Sequence, residues 1–422
     1  MRLNCKFWVS GLKMIAGAKR GRNERKGLHS WHPYYAGYSE SFVASVLQAE
    51  DVEPSAIVLD PWMGSGTTGM VCQKQTIHCI GADINPVMSY FAAAKSQGNI
   101  TALDDTGERI LKRILLCFRR KTKNIAEWSK GGSIIEQLQQ FYKCICDQFV
   151  DNTKIDVVNS LKAFYCSVLF YTVRNVLDVK STSNPTWISK KIDFNNNDFD
   201  ICFEYDKNFK IMREQLNEYY GGAKSQSSYS ILNVDSKKLN IEDNTIDLVI
   251  TSPPYLTRID YAVSTRLELE LILGSEGYKS LRKEVMGTTT VPKVADNIDE
   301  KWGSLCMDVL ASVTSHTSRA SGSYYLKNKI RYFSDAYDSL KEIFRVLKVG
   351  CSGYFVIQNS YYKEIEIPLY DIYCEMALSI GFSDAKCVRE DQVKAMFGQI
   401  NTKSKNYITD KIYFEKIIRI TK

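Results

Sequence analysis

The sequence predicts an α/β fold: a mainly parallel sheet flanked by helices and interrupted by a helical insertion. Three observations carry that expectation. Residues 56–95 run strand, glycine-rich loop, helix, strand, helix, the order of a parallel βαβ unit. The same alternation resumes at Ser230 and continues to the C-terminus. Between them, residues 100–230 lose it and repeat apolar side chains at helical spacing, as in Ile110, Leu111, Ile114, Leu115 and Phe118.

The elements follow in order. Lys19, Arg20, Arg22, Arg25 and Lys26 make residues 1–28 a basic arm, read as solvated, with phosphate contact as the alternative. Ala56 to Leu59 is a short buried strand, and Thr68 to Lys74 the helix after it. Cys79 to Ala82 is the second strand, and Pro86 to Lys95 the next helix. After the insertion, 99–230, come strands at 230–234 and 246–250 and a helix near 260–273. Residues 275–325 read as irregular. A helix at 332–347, a strand at 353–357, a helix at 366–380 and strands at 382–388 and 411–420 complete the chain. The α/β domain is thus assembled from 29–98 and 231–422.

Composition sets the class. The 422 residues are 44% hydrophobic and 24% charged, ordinary for a globular protein. A net charge of +7 permits a nucleic-acid partner without requiring one. No apolar run reaches the ~18 residues of a membrane span, and the N-terminus lacks a signal-peptide layout. Twelve cysteines are scattered, and the one close pair, Cys144 and Cys146, has no histidine partners for zinc. They read as reduced thiols of a cytoplasmic protein. With four histidines in all, no metal site is expected.

Two loops carry the chemistry. Asp60, Pro61, Trp62, Met63, Gly64, Ser65, Gly66, Thr67, Thr68 and Gly69 join the first strand to its helix. Gly64, Gly66 and Gly69 satisfy G-x-G-x-x-G, which lets a ligand approach the backbone at a helix N-terminus. Asp83, ending the second strand, can accept from both hydroxyls of a ribose. These features suit NAD or S-adenosylmethionine, and no Walker lysine follows the last glycine. Asp60 next to the loop favours a cationic ligand. The second loop, Thr251, Ser252, Pro253, Pro254 and Tyr255, ends an apolar strand, because two prolines cannot continue a parallel ladder. Ser252 and the Pro253 carbonyl can accept from an amino group on a flat ring, and Tyr255 can stack on it. In an open α/β sheet both loops fall at the carboxyl ends of the strands. Asp235, after the strand at 230–234, can accept from an adenine amino group or cap a turn.

With these motifs together the chain resembles the amino-methylating DNA methyltransferases, especially the N4-cytosine group. Asp60 to Gly66 resembles that family's Asp-Pro-Phe-x-Gly-x-Gly loop, and Ser252 to Tyr255 its Ser-Pro-Pro-Tyr loop. His32, Pro33, Tyr34 and Tyr35 look like the motif that helps hold the methionine part of the cofactor. Asp83 to Pro86 resembles the ribose-binding motif. The resemblance covers roughly 29–98 and 231–420. It implies a Rossmann-like methyltransferase fold whose last strand is antiparallel, with S-adenosylmethionine as cofactor. The implied cofactor residues are His32, Pro33, Tyr34, Asp60, Trp62, Gly64, Gly66, Thr67, Thr68, Asp83, Ile84, Asp235 and Ser236. The implied catalytic residues are Ser252, Pro253, Pro254 and Tyr255. A flipped base in double-stranded DNA is the implied substrate, and a restriction endonuclease a candidate partner.

The DNA-reading segment is less visible. The insertion 99–230 is the candidate target-recognition module. Arg119, Arg120 and Lys121 end a basic helical stretch running from Arg109 to Lys123, and Trp187 lies in a polar, aromatic and basic loop. Each is a candidate nucleic-acid contact with a solvated face or packed loop as the alternative. Two other functions stay open: an N6-adenine or RNA amino-methyltransferase, and a non-catalytic cofactor- or DNA-binding subunit.

Overall fold

The computed structural model describes residues 14–21, 23–33, 37–122, 134–149, 157–176, 200–221, 227–256, 260–294, 296–393 and 411–422. Helix α1 (Glu40–Ala49) starts at Ser39, whose hydroxyl accepts from the Phe42 amide. Strand β1 (Ile57–Asp60), α2 (Thr67–Lys74), β2 (His78–Ala82) and α3 (Pro86–Ala94) then form the expected βαβα unit. Five helices follow: α4 (Gly98–Ala102), α5 (Glu108–Thr122), α6 (Ile134–Cys146), α7 (Ser160–Val176) and α8 (Ile201–Tyr220). The alternation resumes with β3 (Tyr229–Leu232), β4 (Ile246–Thr251), α9 (Tyr261–Ser264) and α10 (Arg266–Glu284). Helices α11 (Ser304–Ser315) and α12 (Leu326–Val346) lead to β5 (Leu347–Gln358). A small hairpin of β6 (Ser360–Tyr362) and β7 (Ile365–Ile367), then α13 (Leu369–Ile380), β8 (Asp384–Val393) and β9 (Tyr413–Thr421), complete the chain.

The main sheet has the order β3-β2-β1-β4-β5-β9-β8. Neighbours from β3 to β5 are parallel, and β9 runs antiparallel to both β5 and β8. This is the Rossmann-like methyltransferase arrangement. The strand pleat divides the core in two. Val58, Leu248, Ile250, Tyr354 and Val356 face α1 and α2. Their alternate neighbours Leu59, Val249, Phe355 and Ile357 face α11, α12 and α13. Strand order reverses between β1 and β4, where the carboxyl ends of adjacent strands leave a crevice.

Helices α5 to α8 bury their apolar stripes in a third cluster. It is continuous with Val87, Met88 and Phe91 of α3 and with Leu267, Leu269 and Leu271 of α10. The helical segment therefore shares a core with the α/β half. It also reaches the sheet edge, where the Val158 amide donates to the Ile231 carbonyl at 2.9 Å.

Two expectations are corrected. Residues 14–21 are not a solvated arm: Ile15 and Ala18 are buried, and the Arg20 guanidinium donates to the Tyr38 carbonyl and to Thr67 Oγ1. A buried cation persists only with such acceptors. Arg22 and residues 1–13 lie outside the described residues. The stretch 275–325 is not wholly irregular. Helix α10 continues past a kink at Gly274, where φ is +69°, and α11 follows.

Candidate active site

The glycine loop is shaped by what packs beneath it. Gly66 has φ of +82°, and a side chain there would meet the Ala92 Cβ and the Tyr229 hydroxyl at 2.8 Å. Gly69 lets the first turn of α2 lie on the Tyr229 ring, which a Cβ would meet at 2.1 Å. The Lys95 ammonium, buried at the end of α3, donates to the Ser65 carbonyl at 2.9 Å.

Asp83 closes the loop from the other side. Its carboxylate accepts from the Gly64 amide at 3.1 Å and the Asn85 amide at 2.8 Å. Burial pushes its pKa up to about 7; those two N–H groups pull the other way, and the Asp60 charge adds to the rise. Asn85 caps α3 through Val87 and also donates to Thr265.

The Ser-Pro-Pro-Tyr loop leaves β4 beside β5. Ser252 Oγ donates to the Val356 carbonyl at 3.1 Å, which commits its one proton and leaves its lone pairs to accept. The Tyr332 hydroxyl donates to the Pro254 carbonyl at 2.7 Å, and the Tyr255 amide to the Tyr261 hydroxyl at 3.3 Å. Gly287, with φ of +76°, lies so close to the Tyr255 carbonyl that a Cβ would stand 2.8 Å from it. The loop is thus held through its backbone from two helices, α12 and α9, and through the Ser252 side chain from β5.

Between the two loops lies an open cleft. Of the expected residues it brings together Trp62, Asp83, Ile84, Asp235, Ser236, Ser252 and Pro254. Asp235 Oδ1 accepts from the Lys237 amide at 2.9 Å, and its other oxygen stands 3.4 Å from Lys237 Nζ. Ser236 Oγ bonds Ser339 Oγ at 2.9 Å.

Other expected residues stand apart from the cleft lining. Asp60 is buried and accepts from the hydroxyls of Tyr38 and Thr251, so it ties β1 to β4 and the N-terminal segment rather than facing a ligand. Burial raises its pKa to about 6. The Thr67 and Thr68 side chains point inward, to Arg20 and Tyr38. His32 is buried against Phe91, with ring centroids 5.1 Å apart, and burial drives its pKa well down. Pro33 is exposed, Pro253, Gly64 and Gly66 are buried and Tyr255 is half-buried, and none of these five is among the cleft-lining residues. Tyr34 and Trp187 lie outside the described residues. Arg119, Arg120 and Lys121 are exposed on α5, with Lys121 paired to Asp147 at 3.0 Å.

Sequence reasoning missed Lys237, Asp335, Tyr261 and Glu284 to Met286, which also line the cleft. Asp335 and Ser339 did carry a signal, two polar residues four apart among the mostly apolar buried residues of α12. Lys237 Nζ bridges Asp335, at 2.6 Å, and Asp235.

The donor and acceptor set fits S-adenosylmethionine. Two carboxylates can take ribose hydroxyls and an adenine amino group, while Trp62, Ile84 and Met88 offer apolar surface to a ring.

Comparison with known proteins agrees. Residues 28–95 match the DNA methylase family model of N6- and N4-amino methyltransferases. The chain is 23% identical to the type II methyltransferase M.BsoBI of Geobacillus stearothermophilus, over 89% of this chain and 83% of that protein. It is 24% identical to M.MvaI of Kocuria varians, over 84% and 82% respectively. It is also 24% identical to M.AvaI of Nostoc sp., over 86% and 81%. In motifs, sheet order and relatives along most of its length the chain is similar to the amino-methylating DNA methyltransferases, and S-adenosylmethionine is the methyl donor this implies.

Proposed function

We propose that this chain methylates the N4 amine of cytosine in double-stranded DNA, as the modification enzyme of a cytoplasmic restriction–modification system. One observation carries the reading: Ser252 and Pro254 share a cleft with Asp83, Asp235 and Trp62, so a target amine and a cofactor would meet there. S-adenosylmethionine supplies an electrophilic methyl group on a sulfonium.

The chain's own residues do the rest. Asp83 accepts from the ribose hydroxyls and Asp235 from the adenine amine, while Trp62 and Ile84 flank the ring. His32, Pro33, Tyr34, Asp60, Thr67 and Thr68 support this site from outside the cleft lining. The target base leaves the duplex, and Tyr255 stacks on it. Its amine is a poor nucleophile, because its lone pair is delocalised into the ring. Ser252 Oγ, its proton already given to Val356, accepts from one amine hydrogen. The Pro254 carbonyl is taken by Tyr332, so the Pro253 carbonyl remains for the other. These two acceptors favour a tetrahedral nitrogen, and alignment in the cleft supplies much of the rate.

An adenine amine would suit the same acceptors. Adenine enzymes more often carry Asp or Asn where Ser252 stands, which favours cytosine. The relatives are named type II methyltransferases, so a cognate restriction endonuclease is the natural partner. The exposed cations of α5 make the helical segment a candidate for target recognition. Single-molecule sequencing of DNA from cells expressing the chain tests the whole reading. N4-methylcytosine in one recurring context is the expected result, N6-methyladenine would move the target, and unmodified DNA would remove the activity.

A further inference from the structure

The segment from Lys283 to Arg331 forms a wall of the cleft. Val285 and Met286 line it, and the Tyr332 and Gly287 contacts described above brace the Ser-Pro-Pro-Tyr loop against it. Within this wall two stretches run side by side, laced by side chains that reach across to backbone carbonyls. Arg331 donates to the Lys283 carbonyl, Asn328 to Thr288 at 2.8 Å, Tyr324 to Thr289 at 2.6 Å and Lys327 to Lys293 at 2.6 Å. The lacing brings Lys283, Lys293 and Lys327 onto one strip that starts at the cleft rim.

Those cations have no close ion pair, and only Lys283 feels an acid, Glu276, at longer range. Among the described residues, Lys283, Lys293, Lys327 and Arg319 have no acidic partner within ion-pair distance. Arg319, Lys283 and Lys293 are exposed, as are the Tyr324 and Tyr325 rings. Behind them Lys329 is only 2% exposed, its ammonium 4.6 Å from the Tyr362 ring centroid with no carboxylate beside it. Burial pushes its pKa down to about 8. Of the acids in this stretch, Glu284 lies at the cleft rim, Asp296 is exposed in the loop after Lys293, Asp308 is on α11, and Asp299 and Glu300 belong to the turn that packs on α13. A strip of unpaired cations that costs self-repulsion calls for a polyanion. Its place at the rim of the cleft selects which polyanion.

We propose that the strip formed by Lys283, Lys293 and Lys327 holds the DNA phosphodiester backbone beside the flipped base. This rests on the DNA-methylating reading above and adds the surface that seats the duplex there. Helix α5 lies in the helical segment, packed on α6.

The test uses the full chain with Lys283, Lys293 and Lys327 all changed to Gln, and a second variant with all three changed to Glu. Binding of a fluorescein-labelled random-sequence duplex is titrated at several salt concentrations, and methyl transfer from labelled cofactor to genomic DNA is followed in parallel. The Gln variant is expected to bind roughly tenfold or more weakly, with a salt slope about three units shallower, and the Glu variant weaker still. Cofactor affinity should stay at the wild-type value in both, which also shows that they fold. Wild-type affinity and slope in both folded variants would overturn the proposal, even if the chain methylates DNA. Strip-dependent binding without methyl transfer by the wild type would instead sink the function and leave the surface standing.

Discussion

At the scale of single residues, the informative positions are carboxylates and hydroxyls whose partners decide their role. Asp83 is the clearest. In the proposed site ribose hydroxyls donate to its ionised form, and burial pushes the carboxyl up to about 7 in the unliganded fold. Cofactor affinity is therefore full above pH 7 and falls on acidification by up to roughly tenfold per pH unit. Without cofactor the stability effect has the opposite sense. A carboxyl raised from 3.8 to about 7 binds its proton more tightly when folded, so the free protein loses stability as pH rises across that window. Calorimetric titration from pH 5.5 to 8.5 checks the first statement. Lys95 titrates at about 7 as well, so Asp83→Asn, which should weaken binding and flatten the acidic limb, separates the two groups. Ser252 and Tyr255 should fail differently when changed to Ala. Ser252 acts as the amine becomes tetrahedral, so its loss should lower kcat roughly ten- to a thousandfold with little change in DNA KM. Tyr255 offers a stacking face worth about 1–3 kcal/mol, so its loss should raise KM as well. Steady-state methylation kinetics decide, and full turnover by both variants would remove this loop from the chemistry. Asp83 and Ser252 were legible because each ends a strand, where a parallel sheet collects its ligands. Asp60 misled because its donors, Tyr38 and Thr251, come from 22 and 191 residues away.

At the scale of elements, the sequence exposed whatever has a strict period. Strands β1, β2 and β4 and helices α2 and α3 alternate or repeat cleanly, because each buries one face or a continuous run. Outside α11 and the start of α12, the wall from Lys283 to Arg331 has no such period. It is ordered by side chains bonding to carbonyls about 35 to 48 residues away, a pattern invisible in a local window. Helix α5 is amphipathic, with Leu111, Ile114 and Phe118 buried and a basic face outside. Changing Arg119, Arg120 and Lys121 to Ala tests whether that face meets DNA. Lys121 already pairs with Asp147, and an exposed pair contributes little, so the change in salt slope should come from the two arginines, about two units. Titration of duplex DNA at several salt concentrations reads it out. An unchanged slope would make this face solvated surface and leave the strip beside the cleft as the phosphate contact.

At the scale of the whole molecule, the helical segment looks separable in sequence and is not separable in packing. Phe164, Phe170, Tyr205 and Phe209 of α7 and α8 belong to the same cluster as Phe91 of α3 and Leu267 of α10, both in the α/β half. Tyr220, ending α8, donates to the carbonyl of Lys95, the residue whose ammonium holds the glycine loop. A buried ion pair between Arg174 of α7 and Glu268 of α10 adds a third tie. Removing 99–227 would expose the α3 and α10 faces and leave Glu268 uncompensated, a change costing several kcal/mol from the charge alone. A domain's whole stability is only about 5–15 kcal/mol. The expectation is that the full chain unfolds in urea with coincident transitions by tryptophan fluorescence and circular dichroism. A chain with 99–227 replaced by a short glycine–serine linker, which keeps β3 and Tyr229, should be unfolded or molten and should not bind cofactor. Because the cleft residues lie outside the deleted stretch, cofactor binding by a folded deletion variant would show that the helices are an appended module. Its absence, with coincident transitions in the full chain, would show that the glycine loop depends on them through Lys95 and the shared core.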